Sequence, residues 1–575
     1  MPRGRVTGVA KVILAGTLAS GLALSASASP VVVPPRPLTT LDRTIVGTDE
    51  GRLAYGPGEA PVVRRLGWRG PDVTGRPLAG FKQLSDVHVI DEESPARVEF
   101  LDGCGTPFNA AYRVQEAMSL QVGDSMLRRL AQIHEGPATG IPLSFVVSTG
   151  DNIDNNQLNE LRWFIDLLDG SNVNPNSGGP GYHGYTQEQF APALPVDLLE
   201  LAQEPFDAAG TKLPWYAVLG NHDGLVQGNA PQNPSFETVA VGGRKAFVPL
   251  DGYDNCPQDP EDSGQLEQLL TNVTNSSSED VPADGERVFV DHEELVEEFF
   301  QTEGRPRGHG LALAPQDPMH DARAGYYSFP VGRKVRGISL DTISYDGVAD
   351  GHIPDPQFKW LKKELRKWST RYFAGGKPRR NRKGRDRLIV LFSHHSSPTL
   401  RNPGGDAEGQ PFHCFRKTDQ PECSGGEGLK NLLRRFPNVV AWVNGHEHNN
   451  AVRAFPAPGK KDPARGFWEL NTAAHIDWPQ QSRLVEIAYA PGRAGSPDTV
   501  FVYGTIVDHG APPEPDRDAQ STVGYLASIS RVEAYVDACM REGQAKCEAA
   551  GRRKDRNVKL VLKAPFDLNP PRPRR

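Results

Sequence analysis

Leu213-Pro214-Trp215-Tyr216-Ala217-Val218-Leu219-Gly220-Asn221-His222-Asp223 is the stretch from which the fold can be read. An apolar run short enough for one buried strand stops at Gly220, and three polar side chains follow without a spacer. In an α/β sheet, the residues just beyond the carboxyl end of a strand line the crevice where ligands bind. Asn221 brings a neutral oxygen, His222 a ring that can exchange a proton, and Asp223 a carboxylate able to hold His222 in one tautomer. On its own, Gly220–Asp223 could equally be a turn that caps a helix.

The pattern recurs. Phe81–Ser85 runs into Asp86-Val87-His88, and Leu143–Thr149 into Gly150-Asp151-Asn152. Leu388–Ser393 runs into His394-His395, and Val439–Asn444 into Gly445-His446-Glu447-His448. Each is a strand-like apolar run that discharges histidine, aspartate or asparagine at its far end. Five such endings in one chain point to a shared metal site.

Two divalent ions about 3.5–4 Å apart need a bridging carboxylate and roughly three further N or O ligands each. Asp86, His88, Asp151 and His448 would complete one position, with Asp151 as the bridge. Asn221, His394 and His446 would complete the other. Histidines at i and i+2 point to opposite sides of an extended segment, so His446 and His448 can serve two adjacent ions. A hydroxide between the ions is the expected nucleophile. His222 would face the substrate as proton donor or electrostatic stabiliser, with Asp223 orienting it. A ligand set without sulfur suits two divalent transition-metal ions (Mn, Fe, Zn or Co), and affinity order alone does not choose among them.

The chain has 575 residues, 38% of them hydrophobic, with 59 Gly and 50 Pro. That permits a large core with long ordered loops. Strands alternating with helix-compatible stretches read as α/β. Residues 1–28 read as a signal peptide: Arg3, Arg5 and Lys11 precede an apolar stretch, and Ala26-Ser27-Ala28 offers a cleavage site. A retained anchor is the alternative, although the stretch is short for a membrane span. Cleavage would take the formal charge from -7 to -10 by removing three cations. An acidic enzyme of this kind is not built for non-specific nucleic-acid binding, and no later run is long enough to cross a bilayer. Six cysteines in an exported protein read as three disulfides. Among fifteen possible connectivities, proximity favours Cys414–Cys423 and Cys539–Cys547, leaving Cys104–Cys256; free buried thiols are the alternative.

Along the chain, 29–80 reads as an N-terminal extension and 81–510 as the main domain. Helices are expected over about 110–134, 157–168, 291–300 and 357–367. The insertion at about 224–325 is either a lid over the crevice or a surface excursion. The basic run from Lys377 to Arg387 could hold an anionic polymer, or could simply be a solvated loop. Residues 511–575 read as a helical appendage with a basic tail.

The order Asp-x-His, Gly-Asp, Gly-Asn-His-Asp, His, Gly-His-x-His, as it stands at Asp86, Gly150, Gly220, His394 and Gly445, resembles the calcineurin-like metallophosphoesterase superfamily. That superfamily includes purple acid phosphatases and cyclic-nucleotide phosphodiesterases. Leu340-Asp341-Thr342 and Gln357-Phe358-Lys359-Trp360-Leu361 add to the likeness, and Asp91–Glu99 resembles an exported bacterial subgroup. The resemblance implies a four-layer α/β/β/α sandwich with long loop insertions and a dimetal site at the strand ends. It also implies a secreted or cell-envelope hydrolase of a small phosphomonoester or phosphodiester. A nucleotide or pyrophosphate hydrolase of the same fold, and a non-catalytic phosphate-binding surface protein, are the alternatives. His222 beside a complete ligand set favours an enzyme. By this likeness His394 is the ligand and His395 lines the pocket, with the reverse assignment as the alternative; Asn152 and His395 are the candidate substrate-binding residues. The purple enzymes carry a metal-binding tyrosine three residues after the bridging aspartate. Asp154 stands there instead, so no iron–tyrosinate centre is expected. Asn471, His475 and Asp477 look like a loop near the substrate, although singly they read as structural. The oligomeric state is left open.

Overall fold

The computed structural model describes residues 38–48, 52–104, 111–186, 193–247, 278–318, 322–401, 412–416, 428–457, 465–493, 495–541 and 544–569. Thirteen strands build two large sheets: β1 Val62–Arg65, β2 Arg76–Leu84, β3 Val146–Thr149, β4 Trp215–Val218, β5 Tyr327–Gly332, β6 Val335–Ser339, β7 Leu388–Phe392, β8 Val439–Asn444, β9 Ala451–Pro456, β10 Gly466–Asn471, β11 Gln481–Ala490, β12 Thr499–Asp508 and β13 Val558–Lys563. One sheet has the order β1-β13-β12-β11-β2-β3-β4, and the other β5-β6-β7-β8-β10-β9. In the first, β2, β3 and β4 run parallel, in the register Gln83↔Val147 and Val147↔Tyr216. In the second, β6, β7, β8 and β10 run parallel.

Parallel strands covered on both faces read as continuous apolar runs, and Leu388–Phe392 and Val439–Val443 are buried throughout. The two sheets pack face to face through aromatic rings. Phe81 of one meets Phe392 of the other edge-on at 5.4 Å, and Tyr216 stacks on Phe329 at 4.0 Å. Full burial of one such ring stabilises the fold by about 1.5–3 kcal/mol. Outside the first sheet lie α1 Ser119–Ala131 and α2 Leu158–Asp169, burying Met126, Leu127, Leu161 and Phe164 in the same core. Outside the second lie α3 Asp355–Lys367 and α4 Leu429–Arg434, whose Phe358, Leu361, Leu365 and Leu432 close over Ile389 and Trp442. The result is the α/β/β/α order of layers.

The sandwich reaches beyond 81–510. β1 lies within the expected N-terminal extension and β13 within the expected appendage, and the two pair with each other at the edge of the first sheet. Short runs such as Val62-Val63 and Leu560-Val561-Leu562 look peripheral in sequence, and only pairing across almost 500 residues makes them sheet. The helical part of the C-terminal region is α5 Thr522–Val536, capped by Ser521.

The described parts of 224–325 are packed down on the core. Lys245, fully buried, donates from Nζ to the Glu92 carbonyl at 2.6 Å and to Glu99 Oε1 at 2.7 Å. Arg287, also fully buried, donates from Nε to Asp91 Oδ2 at 3.0 Å. The expected helix forms over His292–Glu298, closed by an Asp291/Glu294 capping box. Cys539–Cys547 is a disulfide and Cys414 is disulfide-bonded. Cys256 and Cys423, the expected partners of Cys104 and Cys414, lie outside the described residues, as does the expected signal peptide. Among the described residues no helix is long and apolar enough to cross a membrane.

Candidate metal centre

Five parallel strands, β2, β3, β4, β7 and β8, deliver their carboxyl ends to one place. The ligand atoms of Asp86, His88, Asp151 and His448 all lie within 4.8 Å of one another. Beside them, His394 Nε2 stands 3.1 Å from His446 Nδ1, which is 3.1 Å from Asn221 Oδ1. Asp151 lies between the two groups, with Oδ2 at 3.0 Å from His394 Nε2 and 3.7 Å from His88 Nε2.

In most of these residues a hydrogen bond fixes the side chain so that a lone pair faces inward. His88 Nδ1 donates to Asp154 Oδ1 at 2.7 Å, and His448 Nδ1 to Asp477 Oδ2 at 2.6 Å. His394 Nδ1 donates to the Thr149 carbonyl at 2.9 Å. Asn221 Nδ2 donates to the Gly228 carbonyl at 3.0 Å, which turns Oδ1 toward His446. Asp151 Oδ1 accepts from the His222 backbone N–H at 2.9 Å, leaving Oδ2 for the centre. Two ligands about 2.0–2.2 Å from one ion sit roughly 3.0–3.5 Å apart. The 3.3 Å between His88 Nε2 and His448 Nε2 has that spacing. The residues present therefore fit a pair of metal ions.

Electrostatics agree. Burial alone would lower the His394 and His448 pKa values, but Asp151 and Asp86 beside His394, and Asp477 and Asp86 beside His448, hold both up at about 9. Burial would raise the Asp151 carboxyl, yet His394 and His222 keep it well below the usual range. His446 is pushed well below its ordinary value by burial and by the neighbouring His395 and His394, and His88 down to about 4 by burial and His222. Without a metal, protons on His394 and His448 supply the positive charge that the carboxylates demand.

The backbone is bent to the task. Asp86, His88, Asp151, His446 and His448 all have left-handed φ, between 46° and 73°, a conformation costing non-glycine residues on the order of 1 kcal/mol each. Five of the seven candidate ligand positions share it, and such strain gathers at functional sites. Gly220 is needed for close approach: a Cβ there would lie 2.2 Å from the Asp151 amide nitrogen.

Three expected roles change. Asp223 does not orient His222. Its carboxylate accepts from the backbone N–H groups of Gly220 at 2.7 Å and Asn152 at 2.9 Å, because successive residues on a helical turn point about 100° apart. His222 is oriented by Asp154, whose carbonyl accepts from Nδ1 at 2.6 Å. Asn152 is fully buried, taking a hydrogen bond from Ser148 and donating to Val218 and Asp223, so its side chain is engaged in locking the loop. His395 is buried with both ring nitrogens engaged, by the Thr342 hydroxyl and the Ala349 carbonyl, each at 2.8 Å. Burial and His394 push its pKa down to about 3.

Sequence reasoning missed the residues behind the ligands. Arg97 donates to Asp154 Oδ2 at 2.6 Å and Arg113 pairs with Asp477 Oδ1 at 2.9 Å, so each histidine-backing carboxylate is itself backed by a buried arginine. Asp154 stood in the motif but was read only as a missing tyrosine. Arg97 and Arg113 carry no motif.

Residues 81–450 match the family model for calcineurin-like phosphoesterases. Among solved structures, one titled "Structure of PhoD" aligns over 85% of this chain and 83% of its own, at 12% identity and a TM-score of 0.31, too slight a likeness to bear on activity. No functionally curated protein matches significantly. The family match covers well over half of the chain and every loop that bears a candidate ligand: the chain belongs to the calcineurin-like phosphoesterase family and is a metal-dependent hydrolase of phosphate esters.

Proposed function

We propose that the protein is an exported phosphohydrolase that holds two metal ions and cleaves a small phosphomonoester or phosphodiester. One observation carries the reading. Asp151 Oδ2 stands 3.0 Å from His394 Nε2 on one side and 3.7 Å from His88 Nε2 on the other, the position of a carboxylate shared between two ligand sets. Asp86, His88, Asp151 and His448 would hold one ion, and Asn221, His394 and His446 with Asp151 the other. Bound divalent ions would polarise the phosphoryl oxygens and acidify a water.

The chain's own contribution beyond the ligands is His222. Its ring is partly exposed at the edge of the centre, 4.6 Å between centroids from His88. With Nδ1 committed to the Asp154 carbonyl, Nε2 is the nitrogen left for substrate, and the imidazolium can pass its proton from there to the leaving oxygen. Export is supported by the N-terminal sequence and by the disulfide bonding of Cys539, Cys547 and Cys414. Purified protein supplied with manganese, zinc or iron is to be assayed on p-nitrophenyl phosphate and on bis(p-nitrophenyl) phosphate. Metal-dependent turnover of at least one is expected. Phosphate binding without turnover of either would leave the non-catalytic alternative.

A further inference from the structure

A cationic hairpin precedes β7 and stands at the end of that strand away from the metal centre. Residues 371–387 hold six arginines, two lysines and one aspartate, a net of +7 in a chain whose formal charge is -7. Arg371–Ala374 and Lys377–Arg380 pair antiparallel across Gly375 and Gly376, both left-handed at φ 56° and 72°, the two-residue turn whose twist suits a hairpin. The register sets Arg371 directly opposite Arg380. Like charges facing each other across a ladder destabilise it, so stability alone does not account for this arrangement.

The nearby carboxylates are already engaged. Asp386 accepts from the Thr370 backbone N–H at 2.9 Å and its hydroxyl at 2.6 Å. Glu364 accepts from Lys367 Nζ and Trp368 Nε1, each at 2.9 Å. Among the described residues, no carboxylate pairs with Lys377, Arg379, Arg380, Arg382, Lys383 or Arg385. Arg371, Arg379, Arg380 and Arg382, with Thr370 and Asn381, line an open cleft of about 540 Å³.

We propose that this cleft docks linear inorganic polyphosphate, held through the charge of its backbone. Arginine forks match phosphate oxygens two at a time, and six of the eight cations are arginine. A bilayer surface fits less well, because residues 375–380 are exposed yet include no large apolar side chain to enter it. A nucleic acid fits less well too. Tyr372 and Phe373 are half-buried, and the Arg465 guanidinium covers the Phe373 ring at 3.7 Å, so no open aromatic face is offered to bases. β7 is five residues long, which sets the cleft roughly 17 Å from the metal ligands. Docking and hydrolysis are then separate events, whatever chemistry the centre performs.

Fluorescence anisotropy of labelled linear polyphosphate, titrated with the full-length metal-loaded protein, tests this. Saturable binding is expected, weakening linearly in log Kd against log salt. Arg379→Glu/Arg380→Glu should bind at least tenfold more weakly while turning over p-nitrophenyl phosphate at the wild-type rate. Should that pair lower Tm, Arg382→Gln/Lys383→Gln, also exposed, should weaken binding in the same direction. Wild-type affinity in both variants would overturn the proposal. So would single-stranded DNA or anionic phospholipid vesicles binding more tightly than polyphosphate.

Discussion

At the scale of single residues, neighbours in sequence do different work. Asn221 presents Oδ1 to the metal centre, while His222 turns its ring to the carbonyl of Asp154 and leaves Nε2 facing outward. Asn221→Ala should therefore lose metal and, through that loss, activity. His222→Ala should keep its metal and lower kcat by roughly 10²–10⁴-fold. The His222 defect should be larger on alkyl phosphates than on p-nitrophenyl phosphate, whose leaving group departs without a proton; equal defects would assign His222 to electrostatic stabilisation instead. Asp477, behind His448, is a second case. Asp477→Asn preserves shape but removes the charge behind the ring, and should weaken metal retention by about 10–100-fold in a chelator competition. An unchanged metal affinity would make Asp477 merely structural. The pH dependence follows from the same carboxylates. In the metal-free protein His394 and His448 titrate at about 9, so each must give up a proton to become a ligand. Metal affinity should rise from pH 6 to pH 8, by up to about tenfold per pH unit for each proton released, whereas a flat profile would contradict the protonation assigned to these two rings.

At the scale of elements, the strands and their ends were legible because a parallel strand buried on both faces leaves a bare apolar run, and chemistry can only follow it. The helix over Asp355–Lys367 was legible for a related reason: Phe358, Leu361 and Leu365 recur at helical spacing and all are buried. What was not legible depended on meetings through space. Nothing in the sequence near Arg97 or Arg113 says that they will sit behind Asp154 and Asp477. Nothing near Asp223 says that its carboxylate will turn to the Asn152 amide instead of the adjacent imidazole. The turns between strand and ligand are equally specific. A methyl group at Gly220 would collide with the Asp151 backbone, which has no room to yield inside a packed loop. Gly220→Ala should cost about 1–3 kcal/mol of stability, as overpacking does, and should also lower metal content. A protein of wild-type Tm and metal content would show that the loop is looser than described.

At the scale of the whole molecule, two mixed sheets face each other and bring five strand ends to a single centre. One edge of the first sheet is completed from both ends of the chain, by Val62–Arg65 and Val558–Lys563. Sequence pattern located the central strands and missed this closure, since strands of four and six residues carry little periodicity of their own. In the reading proposed above, the molecule holds two metal ions with Asp151 between them. Elemental analysis of protein purified without chelator, paired with activity before and after metal removal, tests it most directly. About two transition-metal ions per chain are expected, with loss of phosphoesterase activity on chelation and its return when metal is restored. A metal-free preparation that retained full activity would contradict it.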